Sequence, residues 1–325
     1  MPKNRKLFLN NTCVFVTTRV ISGLPFVAKH YMELILWGIL ARAQKHCPIK
    51  VCHFICMGNH FHFLLVVEDP EQISAFIDRV KTESAHAVNR LLGRRKTPLW
   101  EDGFDSPTIL DFETAIRYIV YIYANPARAN LIQSIKQYPG VSSWQMYQSK
   151  SCHRSSAWIK RNHIHKIPRR DLSGIEEKLF CNQLHRHVRA YHNFTLSPDA
   201  WMECFPETRT MTPDETNELV LSALNDAEQR ITTERKVPIL GVNRLTTQSI
   251  YKPFTPKKYS KRMVCLSKSI DLRANFISRY RGLCAQAKKV YQRWKLFDFS
   301  IAFPSGLFLP SLPRASNICP TYGSI

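Results

Sequence analysis

Two histidines one residue apart, His60 and His62, open the run His60-Phe61-His62-Phe63-Leu64-Leu65-Val66-Val67. On a strand, side chains alternate between the two faces. Both imidazoles then project from one side, and Phe61, Phe63 and Leu65 from the other. Two neutral imidazoles placed in this way can chelate one divalent ion. The pattern is short, and in isolation it more often marks strand histidines satisfied by local hydrogen bonds. The chain repeats the spacing at His163/His165 and His185/His187, neither followed by an apolar strand, and these read as surface or linker histidines. A second group comprises Tyr118, Tyr121, Tyr123 and Asn125. On a helix, Tyr121 and Asn125 are one turn apart and share a face, so a phenol and an amide oxygen could stand together over a metal held by the histidines. Tyr118, a turn earlier, is a rival nucleophile on spacing alone. Tyrosines packed in a core and an asparagine capping a helix would leave the same letters.

The elements that would position these groups read as alternating strands and helices. Residues 11–20 are rich in Val, Thr and Phe and predict a strand; 26–47 carry apolar residues at helical spacing; 50–57 predict a second strand. Gly58-Asn59 signals a turn into a third strand over 60–67, apolar enough to lie centrally. Asp69-Pro70-Glu71 opens a helix through residue 92. A basic loop follows, then a short strand near 107–110 and a helix over 112–124 that the Asn125-Pro126 pair should end. The order β-α-β-β-α-β-α predicts an α+β fold, a ferredoxin-like antiparallel sheet with helices on one face. We divide the chain into residues 1–150, holding both chemical groups, and 151–325, a mostly helical or irregular basic accessory region. In the latter, Thr212-Pro213-Asp214-Glu215 starts a helix with Val220, Leu224, Ala227 and Ile231 as its stripe. Residues 253–262 read as a linker, 271–295 as a basic helix, and the tail from Phe303 as irregular.

Composition narrows the class of partner. Lys and Arg total 46 against 25 acidic residues, a net charge of +21. Such an excess points to a polyanion, because neutralising phosphates releases counterions. Residues 1–150 hold 18 basic and 11 acidic residues, a net of +7, which leaves +14 for the remainder, so residues 151–325 are expected to add nucleic-acid (DNA) binding or stability and to hold no active site. The apolar stretches are too short for a transmembrane span or a signal peptide, so the expected location is cytoplasmic, with no membrane partner. Ten scattered cysteines contain no CxxC pair, which disfavours a zinc ribbon.

Met57, Gly58 and Asn59 followed by His60-Phe61-His62-Phe63-Leu64-Leu65 resemble the signature of His-hydrophobe-His (HUH) single-tyrosine transposases. Tyr121, Asn125, Pro126, Arg128, Ala129, Leu131 and Ile132 resemble the catalytic helix of their REP-associated branch, and Leu99-Trp100 with Gly103-Phe104 fits the segment between. The likeness covers roughly residues 8–150, with Gly58 standing where the family usually has proline. A fainter likeness to extensions of some relatives runs from Trp294 to Phe308. The resemblance implies the HUH endonuclease fold, Tyr121 as nucleophile, His60 and His62 as metal ligands, and Asn125 as third ligand or close helper. It further implies Mg²⁺ or Mn²⁺, a 5′-phosphotyrosine intermediate, and a single-stranded DNA substrate near a hairpin, bound by a monomer or homodimer. Lys3, Arg5, Lys6, Arg94, Arg95 and Lys96 are candidate contacts to the DNA backbone. Two readings compete: a non-catalytic basic nucleic-acid binder of the same fold, and a zinc hydrolase recruiting a further ligand such as Cys56.

Overall fold

In the computed structural model, residues 6–170, 172–255 and 263–312 are described. The first half runs β1 (Thr12–Arg19), α1 (His30–His46), β2 (Lys50–Met57), β3 (His60–Val67), α2 (Pro70–Leu91), β4 (Thr108–Ile109) and α3 (Phe112–Arg128). The second half adds α4 (Trp144–Gln148), β5 (His153–Ile159), α5 (Gly174–Arg186), β6 (Val188–Thr195), α6 (Pro213–Glu234), α7 (Val242–Thr246), β7 (Cys265–Leu266) and α8 (Ile270–Lys295). One sheet has the order β2-β3-β1-β4-β7, antiparallel except at the β4–β7 edge. The first four strands are two interleaved βαβ units, as the sequence order requires.

β3 lies between β1 and β2 and is paired along its whole length with β1, from Thr12↔Val67 to Arg19↔His60. Its Phe face is the sheet's deep core. Phe61, Phe63 and Leu65 are wholly buried, and Phe54 of β2 stacks on Phe63. Trp37 of α1 meets Phe54 at 5.5 Å and Phe76 of α2 meets Phe63 at 5.9 Å, so both crossover helices cover this face. The helix α3 covers the other one, where its Tyr121 ring reaches His62.

Local signals explain the helix boundaries. Asp69 caps α2 by accepting from the Glu71 N–H, and Asp111 caps α3 by accepting from the Thr114 N–H at 2.7 Å. Thr212 and Glu215 form a reciprocal capping box at the start of α6. Two boundaries differ from the sequence reading by about a helical turn. α1 begins at His30 rather than residue 26. α3 runs through Asn125-Pro126 to Arg128. The proline forfeits one backbone bond, but Asn125, Pro126 and Ala127 are all buried, and packing holds the last turn.

Sequence signals missed the β5–β6 hairpin, which packs on α1, and β7, which extends the main sheet. Phe194, Trp201, Val220 and Leu224 join the same buried cluster as β3, so the region after residue 150 shares the core of the region before it. Part of the expected linker, 256–262, lies outside the described residues. Among the described residues no helix is long and apolar enough to cross a membrane.

The α1–hairpin contact depends on a missing side chain. A Cβ on Gly38 would collide with the Ala157 carbonyl, a backbone atom unable to swing away. Gly38→Ala gains about 1 kcal/mol of helix propensity, but overpacking against backbone costs up to ~3 kcal/mol. The variant should therefore have a lower urea midpoint than the native chain. A higher midpoint would mean the contact is loose.

Candidate active site at the β3–α3 interface

The antiparallel register sets the site's lateral neighbours. His62 stands opposite Thr17 and His60 opposite Arg19, while Met57 and Ile55 flank them from β2. The two imidazole rings are 4.7 Å apart, so the alternation read from the sequence does bring them to one face. α3 lies over them antiparallel to β3. The Tyr121 ring is 5.3 Å from His62, and the side chain of Asn125, one turn on, is hydrogen-bonded to His60. Asn125 is thus an interior helix residue facing the histidines, and no end cap. Tyr118 packs its ring on Phe15 at 4.7 Å and reaches Tyr121 at 5.9 Å. Tyr123 is buried elsewhere, its hydroxyl 2.8 Å from His53 Nδ1 and 3.0 Å from Ser143 Oγ.

Each imidazole has a partner that orients it. His60 Nδ1 is 2.7 Å from Asn59 Oδ1, an oxygen that only accepts, so the proton is on Nδ1 and the Nε2 lone pair is free of it. His62 Nδ1 is 2.9 Å from Thr17 Oγ1, and its buried Nε2 has no hydrogen-bond partner. Burial pulls His60 down to about 4, helped by the Arg19 charge and opposed by the Asn125 hydrogen bond. Burial likewise holds His62 well below the usual range, with His60 and Arg19 adding. Both rings are therefore neutral near pH 7. Burial raises the Tyr118 phenol, so it gives up its proton less readily.

These donors fit a divalent cation. A bare, buried imidazole nitrogen beside a second imidazole and an amide is the arrangement a metal would satisfy. Among the described residues no three His, Cys, Asp or Glu gather into such a group, and the polar side chain that stands beside the two imidazoles is the Asn125 amide. Cys56 cannot join: it pairs with Phe61 and shares the Phe face, across the sheet from the histidines. This removes the ligand the zinc-hydrolase reading needed. The other His-x-His repeats are remote in role as well as sequence; His163 and His187 stack on each other at 4.4 Å.

The basic candidates divide. Lys3 and Arg5 lie outside the described residues. Lys6 Nζ sits 2.8 Å from the Phe104 ring centroid. Arg94, Arg95 and Lys96 are exposed on the loop leading to Leu99-Trp100, which bonds Ile21 and bridges Val20 beside Asn59. Sequence reading missed four groups around the site. Thr17 and Arg19 needed the β1–β3 register to be seen. Asn59 was visible as His60's neighbour. Arg128 lies two turns after Tyr121 on α3, and its guanidinium is 5.3 Å from the Tyr121 ring.

Residues 24–125 match the sequence family described as IS200-like transposases, a span of about a third of the chain that includes His60, His62, Tyr121 and Asn125. A solved structure of a REP-associated tyrosine transposase bound to a REP hairpin aligns with a TM-score of 0.40 and 16% identity, covering 46% of this chain and 87% of that one. No curated protein matches the chain.

Burying neutral histidines makes stability depend on pH. His53, also buried, is pulled down to about 3, and His60 to about 4, from the ordinary 6.5. The unfolded chain therefore takes up protons first, and stability falls as pH drops from 6.5 towards 4, by about 1.4 kcal/mol per pH unit for each such histidine. In chelator, urea melts should show this fall, and His53→Asn should flatten it by one histidine's share. An unchanged slope would place His53 in solvent.

Proposed function

We propose that the chain is a metal-dependent enzyme that nicks and rejoins single-stranded DNA beside hairpins, as a tyrosine transposase. The observation that carries this reading is the bare His62 Nε2, paired with His60 and Asn125 and overhung by the half-exposed Tyr121 ring. The family likeness over residues 24–125 supports it, and the net charge of +21 suits a DNA partner.

In this reading the Tyr121 hydroxyl oxygen attacks phosphorus and the P–O3′ bond breaks, leaving a 5′-phosphotyrosine and a 3′-hydroxyl. The phenol proton leaves to solvent, which returns one to the departing 3′ oxygen. The reverse attack by a 3′-hydroxyl rejoins the strand, because the phosphotyrosine conserves the bond energy. His60 Nε2, His62 Nε2 and the Asn125 amide oxygen would hold Mg²⁺ or Mn²⁺, which supplies Lewis acidity and orientation to the scissile phosphate. Asn59 fixes the His60 tautomer from behind, and Thr17 holds the orientation of the His62 ring. Arg19 and Arg128 bring positive charge to the same face, where a phosphate would bind.

A labelled hairpin with single-stranded flanks, incubated with Mn²⁺ and run on a denaturing gel, tests the reading. The native chain should give a covalent adduct that chelator prevents. Tyr121→Phe should abolish the adduct while leaving fold and DNA affinity nearly unchanged, and Tyr118→Phe should keep it. Asn125→Ala should raise the metal requirement more than it weakens DNA binding. His60→Ala and His62→Ala should block cleavage. An adduct surviving Tyr121→Phe would move the nucleophile; no adduct from the native chain would favour the non-catalytic DNA-binding reading.

The orienting role of Thr17 has its own readout. Thr17→Val removes the hydroxyl and keeps the shape, so Mn²⁺ affinity measured by calorimetry should fall about 10–100-fold. An unchanged affinity would mean that His62 is not a ligand.

A further inference from the structure

The positive charge of the chain is concentrated near one end. Residues 235–325 hold 17 Lys and Arg against two acidic residues, Asp271 and Asp298, a net +15 of the total +21. Residues 151–234, by contrast, hold 11 basic and 12 acidic residues. The helix α8 is the longest element of the basic stretch, with Asp271 its one acidic residue.

Its two sides differ sharply. Tyr280 and Ala287 are buried in a small cluster with Leu7 and Leu307, and Val290 is buried on the same side. On the outer side Arg281, Lys288 and Lys295 recur every seven residues, all exposed, with Lys289 next to them. A heptad step drifts only ~20° around a helix, so the three form one row with about 10.5 Å between successive cations. Arg293, by comparison, is engaged by Asp298. Among the described residues Arg281, Lys288 and Lys289 have no carboxylate partner, and Lys295 lies over the Tyr291 ring at 5.3 Å. The residues not described contribute one acidic side chain, Asp171.

A solvated helix face ordinarily mixes both signs of charge, and this row carries one. The residues one turn on between successive cations are Cys284, Ala285, Tyr291 and Gln292. No large apolar side chain on the row could enter a lipid layer, and its one aromatic neighbour, the half-buried Tyr291, has Lys295 over its ring and offers no open stacking platform. What remains is a rigid line of cations suited to regularly spaced phosphates. The 10.5 Å step compares with a major groove about 12 Å wide.

We propose that the outer face of α8 grips the phosphate backbone of duplex DNA, the paired stem of the hairpin substrate, through Arg281, Lys288, Lys289 and Lys295. The choice of DNA as the polyanion rests on the functional reading above. α8 leaves the sheet at the β7 edge, where β4 pairs with Cys13 and Val14, six residues along β1 from Arg19 at the Cys13 pair. At 3.4 Å per residue that is roughly 20 Å. The helix therefore starts about that far from Arg19 along β1, and a stem gripped on it would leave the unpaired flank to reach Tyr121.

The test measures binding and not chemistry. The full chain carrying Tyr121→Phe, so that cleavage cannot interfere, is titrated into labelled hairpin DNA at a series of NaCl concentrations and followed by anisotropy. The same protein with Arg281→Gln, Lys288→Gln, Lys289→Gln and Lys295→Gln is compared. The slope of log K against log salt should shrink by about 3.6, or 0.9 per lost phosphate contact. The loss should be much smaller on an unpaired oligonucleotide of equal length, with thermal melting unchanged. An unchanged slope, an equal loss on the unpaired strand, or capture of phosphatidylserine vesicles in place of the hairpin would overturn the proposal. Adduct formation with an unchanged slope would sink this inference alone; a reduced slope without any adduct from the Tyr121-containing chain would sink only the cleavage reading.

Discussion

The pleat of β3 is the constraint on which the rest of the structure depends. The strand is hydrogen-bonded on both edges, to β1 and to β2, so it cannot slide without breaking two ladders. A one-residue slip would exchange its faces, sending Phe61 and Phe63 under α3 and the imidazoles in among Phe54, Phe76 and Trp37. Each buried phenylalanine contributes about 1.5–3 kcal/mol, while each unpartnered polar nitrogen in that apolar layer would cost about 1–3 kcal/mol. The apolar face therefore selects the register, and the position of His60 and His62 follows from it.

The opposite face carries a debt that the Phe face covers. Two imidazoles are held neutral beside Arg19, one with a nitrogen that has lost water and gained no protein partner. A protein selected only for stability would place leucine or valine at these positions. Thr17 and Asn59 sharpen the point, since each engages the ring nitrogen away from α3 and leaves the other directed into the interface. Orientation of that kind is unnecessary for core histidines. His53 shows the contrast: its Nδ1 meets the Tyr123 hydroxyl, which in turn meets Ser143, in a closed buried network that ties α3 to β2.

What was legible in the sequence followed from short periods. The two-residue alternation at 60–67 and the four-residue step from Tyr121 to Asn125 are local, and both reappear in the structure. Thr17 and Arg19 were hidden because they meet the histidines across the β1–β3 register, more than 40 residues away. The β5–β6 hairpin was hidden for two reasons. Its strands are separated by 28 residues containing α5, and β6 buries only Phe194, so no apolar alternation marks it. At Asn125-Pro126 a valid local rule was overridden by burial of the final helical turn. The net charge of residues 151–325 averages a segment balanced in sign, 151–234, with the strongly basic one after it, so the total for that half hides where the charge sits.

The placement of Tyr121 depends on residues well beyond its own motif. α6 packs along α3 through Val220 and Leu224, which lie in the core shared with β3. Beyond the end of α3, the Leu240 and Gly241 N–H groups donate to the Asn130 and Leu131 carbonyls. Glu228 accepts from the Ile135 N–H at 2.7 Å, and the Arg235 guanidinium reaches the Ala127 and Ile132 carbonyls. These bonds clamp the turn that follows Asn125 and Arg128, so they limit how far α3 can rotate over β3. With the Tyr121 ring beside His62 and the Asn125 side chain on His60, α3 has little rotational latitude, since each residue turns a helix by about 100°. The second half of the chain is therefore part of what sets Tyr121 and Asn125 over the histidines, through contacts to the backbone after α3 that no motif in residues 1–150 announces.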